Sequence, residues 1–256
     1  MTSLFGGILV VSLSVLAALA GLGLVHRLVP PPLRESYNSI SGTIYIPLCG
    51  LFGVMSAFMI GLGWQEFDGS RDTIQGEASA LAAVYWRADE LPKAEQRRVQ
   101  ELCRSYARTV IHEEWPLMSQ EKESERAQSI VDDLQNSINE FKTNTAVEAE
   151  LEGQLVEQVD DLASLRELRL VDSTASLPSI LWVMLLGAGS VVISFTYLFG
   201  VKHFWVHSLM VGVVTAVAVT ALLTIESLDH PFTGAAKISP HALESVLQDF
   251  EAGSEH

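Results

Sequence analysis

TIYIPLCGLFGVMSAFMIGLGWQEFDGSRDTIQGEASALAAVYWRADEL, residues 43–91, decides the architecture. From Thr43 to Gly63 it carries no Asp, Glu, Lys or Arg. At Trp64 it passes without a break signal into a charged, helix-patterned segment in which Ile74, Ala78, Leu81 and Tyr85 recur at helical spacing. An uncharged run of about 20 residues spans a hydrocarbon core of ~30 Å as a helix, so this stretch joins membrane to water. Three further uncharged runs, Leu4 to Val25, Leu177 to Val201 and Ser208 to Ile225, bring the total to four. The first lacks a basic leader and is too long for a signal core of ~7–15 residues, which makes it a retained helix.

Between the second and third runs lie four apolar stripes at helical spacing. After Ile74 to Tyr85 come Val99, Leu102, Tyr106 and Val110, then Ile130, Leu134, Ile138 and Phe141, then Val147, Leu151 and Leu155 onward to Leu168. Short connections between such stripes predict an antiparallel bundle. The expected fold is all-α: an integral membrane protein with four transmembrane helices and an inserted helical bundle. Its expected parts are a hairpin over 1–64, a soluble acidic domain over 65–176, a second hairpin over 177–226, and a C-terminal segment over 227–256 with a short amphipathic helix. The Pro-rich connection from His26 to Gly42 is expected to be a non-helical turn. Gly69-Ser70 marks a hinge or an ordinary exposed turn.

The formal net charge of −15 sits mostly in the bundle and the tail. That argues against nucleic acid and against a bundle that clings to anionic lipid. Two cysteines, Cys49 in an apolar run and Cys103 on a soluble stripe, imply neither a disulfide framework nor a metal knuckle. His203 and His207 have the i,i+4 spacing of metal ligands, but no third ligand is near, and interface histidines are the better reading. No Glu-x-x-His occurs, which sets a di-iron bundle aside. No nucleophile elbow, phosphate loop or dinucleotide fingerprint is present, so neither an enzyme nor a cofactor is expected. The membrane runs lack a central ionisable residue of the kind that coupled carriers use.

Along the second run, Gly50, Gly53, Ala57 and Gly61 share one side while Leu48, Phe52, Met55 and Met59 share another. Either the small side packs on a neighbour and the bulky side meets lipid, or the bulky residues ring a pore as a hydrophobic constriction. Glu66, Asp68, Asp72 and Glu77 follow; in a symmetric oligomer they would become acidic rings at a vestibule, and alone they are a wet helix face. Glu77 and Glu114 also lie beside apolar stripes and could pair with Arg166 or Arg169. Basic residues near the membrane ends, Arg27, Arg34 and Lys202 against Arg71, Arg166, Arg169 and Lys237, leave orientation undecided.

Several pieces, taken in order, resemble the bacterial bestrophin-like family of membrane proteins. They are Tyr37-Asn38, Glu77-Ala78, Tyr106-Ala107-Arg108 with Glu114-Trp115-Pro116, Leu177-Pro178 before Leu181-Trp182, and Asp229-His230-Pro231-Phe232-Thr233-Gly234. The resemblance spans about residues 35 to 247. It implies four membrane helices with an intervening helical domain, and a name shared with bestrophin anion channels. Pro231, Phe232 and Gly234 are similar to the Pro-Phe-Gly motif of true bestrophins with one residue inserted. The acidic calcium clasp of animal bestrophins is not matched by Ala235-Ala236-Lys237. By that analogy the chain is expected to be a homo-oligomeric ion channel, and the likeness to bestrophins implies a pentamer and anion conduction. Its partners would be the lipid bilayer, inorganic ions and further copies of itself. It would sit in the plasma (inner) membrane with bundle and termini cytoplasmic. The competing expectation is a non-conducting scaffold or sensor that recruits a partner through its acidic domain.

Overall fold

A computed structural model describes residues 4–120, 122–141, 145–233 and 236–253. Every regular element among them is helical. In chain order they are α1 (Leu4–Leu28), α2 (Pro31–Glu35), α3 (Asn38–Arg87), α4 (Lys93–Thr109), a π-helical turn (Val110–Glu114), α5 (Trp115–Met118), α6 (Glu125–Asn139), α7 (Ala146–Thr174), α8 (Ser179–Thr196), α9 (Phe204–Asp229) and α10 (His241–Gly253), with a 3₁₀ turn at Ala88–Glu90. They form two compact units: residues 1–66 with 176–237, and residues 67–175 with 238–256.

The first unit holds α1, the N-terminal part of α3, α8 and α9, each in a helix long and apolar enough to cross a bilayer. The 25 residues of α1 extend about 37 Å at 1.5 Å per residue, more than a hydrocarbon core requires. α1 lies along α9, where Ala18 and Leu22 bury against Val211. α3 packs on α8 and α9 through Phe52, Met59, Leu185, Val192, Ala218 and Ile225.

The connection after α1 is shorter than the sequence suggests. Pro31 and Pro32 fall at the start of α2, where a missing N–H costs nothing, and α3 already begins at Asn38. Asn38 donates from Nδ2 to the Gly200 carbonyl at 2.8 Å and accepts from the Gly200 N–H at 2.8 Å. That pair ties the α1–α3 turn to the α8–α9 turn. The approach needs glycine: a Cβ on Gly200 would lie 2.2 Å from the Glu35 nitrogen.

In the second unit the C-terminal part of α3 packs with α4, α6 and α7 around Leu81, Val84, Tyr106, Leu134, Leu155 and Leu162. Local chemistry sets the helix starts. Ser124 caps α6 by accepting from the Ala127 N–H at 3.2 Å, and Thr145 with Glu148 forms a reciprocal capping box at α7. Within the C-terminal segment, α10 docks on this unit through Leu243 and Phe250. Phe250 stacks on Tyr85 with ring centroids 3.8 Å apart, and its carbonyl accepts from the Tyr85 hydroxyl at 3.2 Å. α3 runs unbroken through Gly69-Ser70.

Gly200→Ala is expected to lower stability by about 1–3 kcal/mol or more, because backbone must move to admit the methyl. Gly187→Ala, which faces open space, should be neutral. Thermal unfolding of both variants in the same detergent checks the contrast.

Candidate functional site

Helix α3 presents two opposite stripes within the first unit. Phe52 and Met59 are buried, and Leu48 and Met55 pack beside them against α8 and α9. Gly189 makes room on α8, since a Cβ there would stand 3.2 Å from the Phe52 ring. Within the single chain Leu48, Phe52, Met55 and Met59, the expected pore-lining stripe, pack against neighbouring helices: bulky side chains on a helix bury where a neighbour offers complementary space, and α8 and α9 offer it here. The other stripe is uncovered. Gly50, Val54, Ala57, Phe58 and Gly61 are exposed, and nothing lies within 4 Å of where a Cβ would stand on Gly50, Gly53 or Gly61.

A second constellation occupies the interior of the other unit. Arg169, fully buried, donates from Nε to Glu77 Oε2 at 2.5 Å, and from Nη2 to Glu77 Oε1 at 3.1 Å and Glu114 Oε2 at 2.7 Å. Arg166 donates from Nη2 to Glu114 Oε1 at 2.6 Å, and the Tyr106 hydroxyl donates to Glu77 Oε1 at 2.6 Å. The Ser124 N–H reaches Glu114 Oε1 at 3.1 Å, Gln128 Oε1 accepts from Arg166 Nη1 at 2.5 Å, and Met118 Sδ accepts from Arg169 Nη1 at 2.8 Å. The guanidinium of Arg169 also lies 5.6 Å from the Trp115 ring centroid. Two cations meet two anions, and each carboxylate is further held by neutral donors.

The π-helical turn is what carries Glu114 to that place. Pro116 has no N–H to give the His112 carbonyl, and its ring crowds that carbonyl, so the wider turn over Val110–Glu114 relieves the conflict. Arg166 and Arg169 come from one face of α7, three residues apart, beside the stripe Leu155, Val159 and Leu162.

Burial by itself would raise the Glu114 carboxyl, but Arg169, then Arg166, outweigh it and hold Glu114 below the ordinary carboxylate range. Burial would pull Arg169 down, and Glu77 above all reverses that, leaving the guanidinium firmly charged. Burial, then the Glu77 carboxylate, push the Tyr106 phenol well above its usual value. The vestibule reading of Glu77 is corrected accordingly: its carboxylate is sealed in the unit as a lock between α3 and α7. Glu66, Asp68 and Asp72 remain exposed, with Asp68 4.0 Å from Arg71.

The remaining motif residues are fasteners too. Asp229 accepts from the Leu177 N–H at 2.6 Å and from Trp182 Nε1 at 3.0 Å, fixing the end of α9 to the start of α8. Pro231 and Phe232 are buried, and Gly234 lies outside the described residues. His207 is buried with Nε2 2.9 Å from the Thr196 carbonyl, while His203 is the residue before α9. No group of three His, Cys, Asp or Glu able to hold a metal occurs among the described residues. Sequence reasoning missed the parts of Met118, Ser124 and Gln128 in the ion network. Only Ser124, as a cap, left a readable trace.

Four membrane-length helices with an inserted helical unit define a multipass α-helical membrane protein. The family model described as a Bestrophin-like domain matches residues 12–243, and the chain belongs to the bestrophin-like family. Among solved structures, a bacterial bestrophin homologue from Klebsiella pneumoniae superimposes with a TM-score of 0.73 at 11% identity, covering 95% of this chain and 98% of that one. Two point variants of the Klebsiella pneumoniae homologue give 0.73 at 12% identity over 96% and 99%, and 0.74 at 12% over 97% and 98%. Similarity at that identity establishes a shared fold. No curated protein matches the chain.

Arg169→Met is expected to cost about 3–5 kcal/mol, since it strands Glu77 as a buried charge. Arg169→Met with Glu77→Met should be milder than Arg169→Met alone, read as urea unfolding of the helical signal in detergent. Because Glu114 is depressed, its contribution is present above about pH 4.3 and is lost as pH falls through its lower folded value. Because Tyr106 is raised, its contribution is present below about pH 10 and is lost as pH climbs toward its higher folded value. Glu114→Gln should flatten the acid limb of stability against pH, and Tyr106→Phe the alkaline limb.

Proposed function

We propose that the chain assembles with copies of itself into an ion channel of the plasma (inner) membrane, with the exposed stripe of α3 lining the axis. The observation that carries this reading is the uncovered surface at Gly50, Gly53 and Gly61 on an uncharged helix whose opposite face is filled from within the protomer. A lipid-facing helix gains from bulk, whereas small residues let copies of one helix approach closely about an axis. Val54 and Phe58 project from the same surface and are the side chains suited to narrow it by excluding water. Exposed Asp68 and Asp72 would recur once per subunit, and rings of carboxylate favour cations. Cation conduction is therefore the reading these residues favour, and anion conduction is what the bestrophin name would suggest. This reading takes the bundle and termini to be cytoplasmic, by analogy with bestrophin-like proteins.

Thiol accessibility tests the pore face. On a Cys49→Ala background in liposomes, cysteines at Val54 and Ala57 are expected to react with a water-soluble thiol reagent and to block ion flux on reaction, while Phe52→Cys stays silent. Equal silence at all three sites would favour a non-conducting scaffold. Reversal potentials in a salt gradient then separate cation from anion preference, and Asp68→Asn with Asp72→Asn should reduce cation selectivity.

A further inference from the structure

At the turns of the membrane unit a guanidinium and two imidazoles gather without a paired carboxylate. His26 stands in the last turn of α1, Arg34 in α2 and His207 in the first turn of α9. Arg34 Nη2 lies 3.0 Å from His26 Nδ1, and Nη1 donates to the Tyr197 carbonyl at 2.9 Å. His207 Nε2 meets the Thr196 carbonyl at 2.9 Å and lies within electrostatic reach of both Arg34 and His26. Thr196 and Tyr197 close α8, and the last carbonyls of a helix carry the negative end of its dipole, so backbone compensates Arg34 and His207. His26 is held by its Nδ1 contact and by Phe204, on which its ring packs edge-on with centroids 5.2 Å apart. The other charged or titratable side chains on these turns are exposed Arg27 on α1, half-buried Glu35 beside Arg34, and exposed Lys202 and His203 before α9. Among the described residues no carboxylate, Glu35 included, forms an ion pair with His26, Arg34 or His207.

A guanidinium donates hydrogen bonds and never accepts them. The 3.0 Å contact therefore exists only while His26 Nδ1 keeps its lone pair, with the imidazole neutral and its proton on Nε2. One proton taken from water at Nδ1 turns that acceptor into a donor and sets N–H against N–H. Two full cations then face each other with no anion paired to either. Arg34 is buried, its Nε meets no acceptor, and it stays charged, so it can neither move into water nor give up its proton. His26 is half-buried at a helix end and is the member free to leave. Imidazole is also the side chain that changes charge between about pH 5 and 8.

We propose that His26 and Arg34 form a pH-sensitive latch, in which the neutral imidazole ties the end of α1 to α2 and the end of α8, and protonation of the ring releases it. The latch is closed above the imidazole range and opens as pH falls through it. The Asn38 and Gly200 pair has no titratable member and holds the two turns together in both states, which confines the release to the last turn of α1. The device belongs to the turns of the membrane unit and does not depend on conduction.

Spin labelling of the full-length protein in detergent tests the latch, on a Cys49→Ala background in which buried Cys103 is retained. A nitroxide at Leu28→Cys, 71% exposed and two residues beyond His26, reports the end of α1. Its ratio of mobile to immobile signal is expected to be about tenfold higher at about pH 5.5 than at about pH 8, the effect of losing a hydrogen bond to a charged group. A label at Val217→Cys, on an exposed part of α9 away from these turns, should not change. His26→Asn, whose Oδ1 accepts where Nδ1 did and takes up no proton in this range, should hold the Leu28→Cys label immobile at both pH values. Arg34→Met removes the donor and should leave it mobile at both. Identical Leu28→Cys spectra at the two pH values without either substitution would overturn the proposal, and so would a pH response that survives His26→Asn or Arg34→Met. If one of these variants fails to fold, the other decides. Cysteine accessibility at Val54 is measured apart from all of these, so the channel reading stands or falls separately.

Discussion

A buried guanidinium sets the terms for the helical unit. Arg169 cannot sit in a dry interior without anions at bonding distance, so Glu77 on α3 and Glu114 on the π-helical turn must arrive together, and Arg166 must balance the second carboxylate. This requirement is directional in a way that leucine packing is not. An apolar core tolerates small slips of one helix along another, while a fork-shaped cation shared between two carboxylates accepts one register. The π-helical turn before Trp115-Pro116 is a local irregularity in the service of that register.

The membrane unit is fixed by other means. Its interior is apolar with small residues where helices approach, as Gly189 yields to Phe52 and Ala18 to Val211. Packing of this kind holds helices together without naming a register strongly, and polar fasteners at the ends supply what it lacks. Asp229 clamps α9 to the start of α8, and Asn38 clamps the start of α3 to Gly200. Each lies at a turn, where backbone groups are unsatisfied and a single side chain can meet two of them.

Much of this was legible in advance. The four uncharged runs, the stripe from Ile74 to Tyr85 and the order of motifs from Tyr37 to Phe232 are properties of composition and spacing, and they led to an all-α membrane protein and its family. The pairing of Glu77 and Glu114 with Arg166 and Arg169 stood among the alternatives, because carboxylates beside apolar stripes have few other uses. Glu77 nevertheless carried two readings, vestibule acid and buried lock, and local spacing does not choose between them. Likewise Leu48, Phe52, Met55 and Met59 form a true stripe, but periodicity says only that they share a face. It is silent on whether that face meets an axis, lipid or another helix of the same chain.

What the sequence by itself determined, then, was which segments are helical and which can enter a bilayer, since both follow from side-chain chemistry at short range. The tertiary structure alone decided which face of α3 is spent inside the protomer and which is left open, and that Arg169 serves two carboxylates at once. It also decided that Arg34 is buried against the Tyr197 carbonyl and the His26 ring. These depend chiefly on residues 55 to 163 positions apart meeting in space, as Arg169 meets Glu114 across 55 and Arg34 meets Tyr197 across 163. Such meetings are governed by packing and by the cost of burying unpaired charge, neither of which is written into any one stretch of chain.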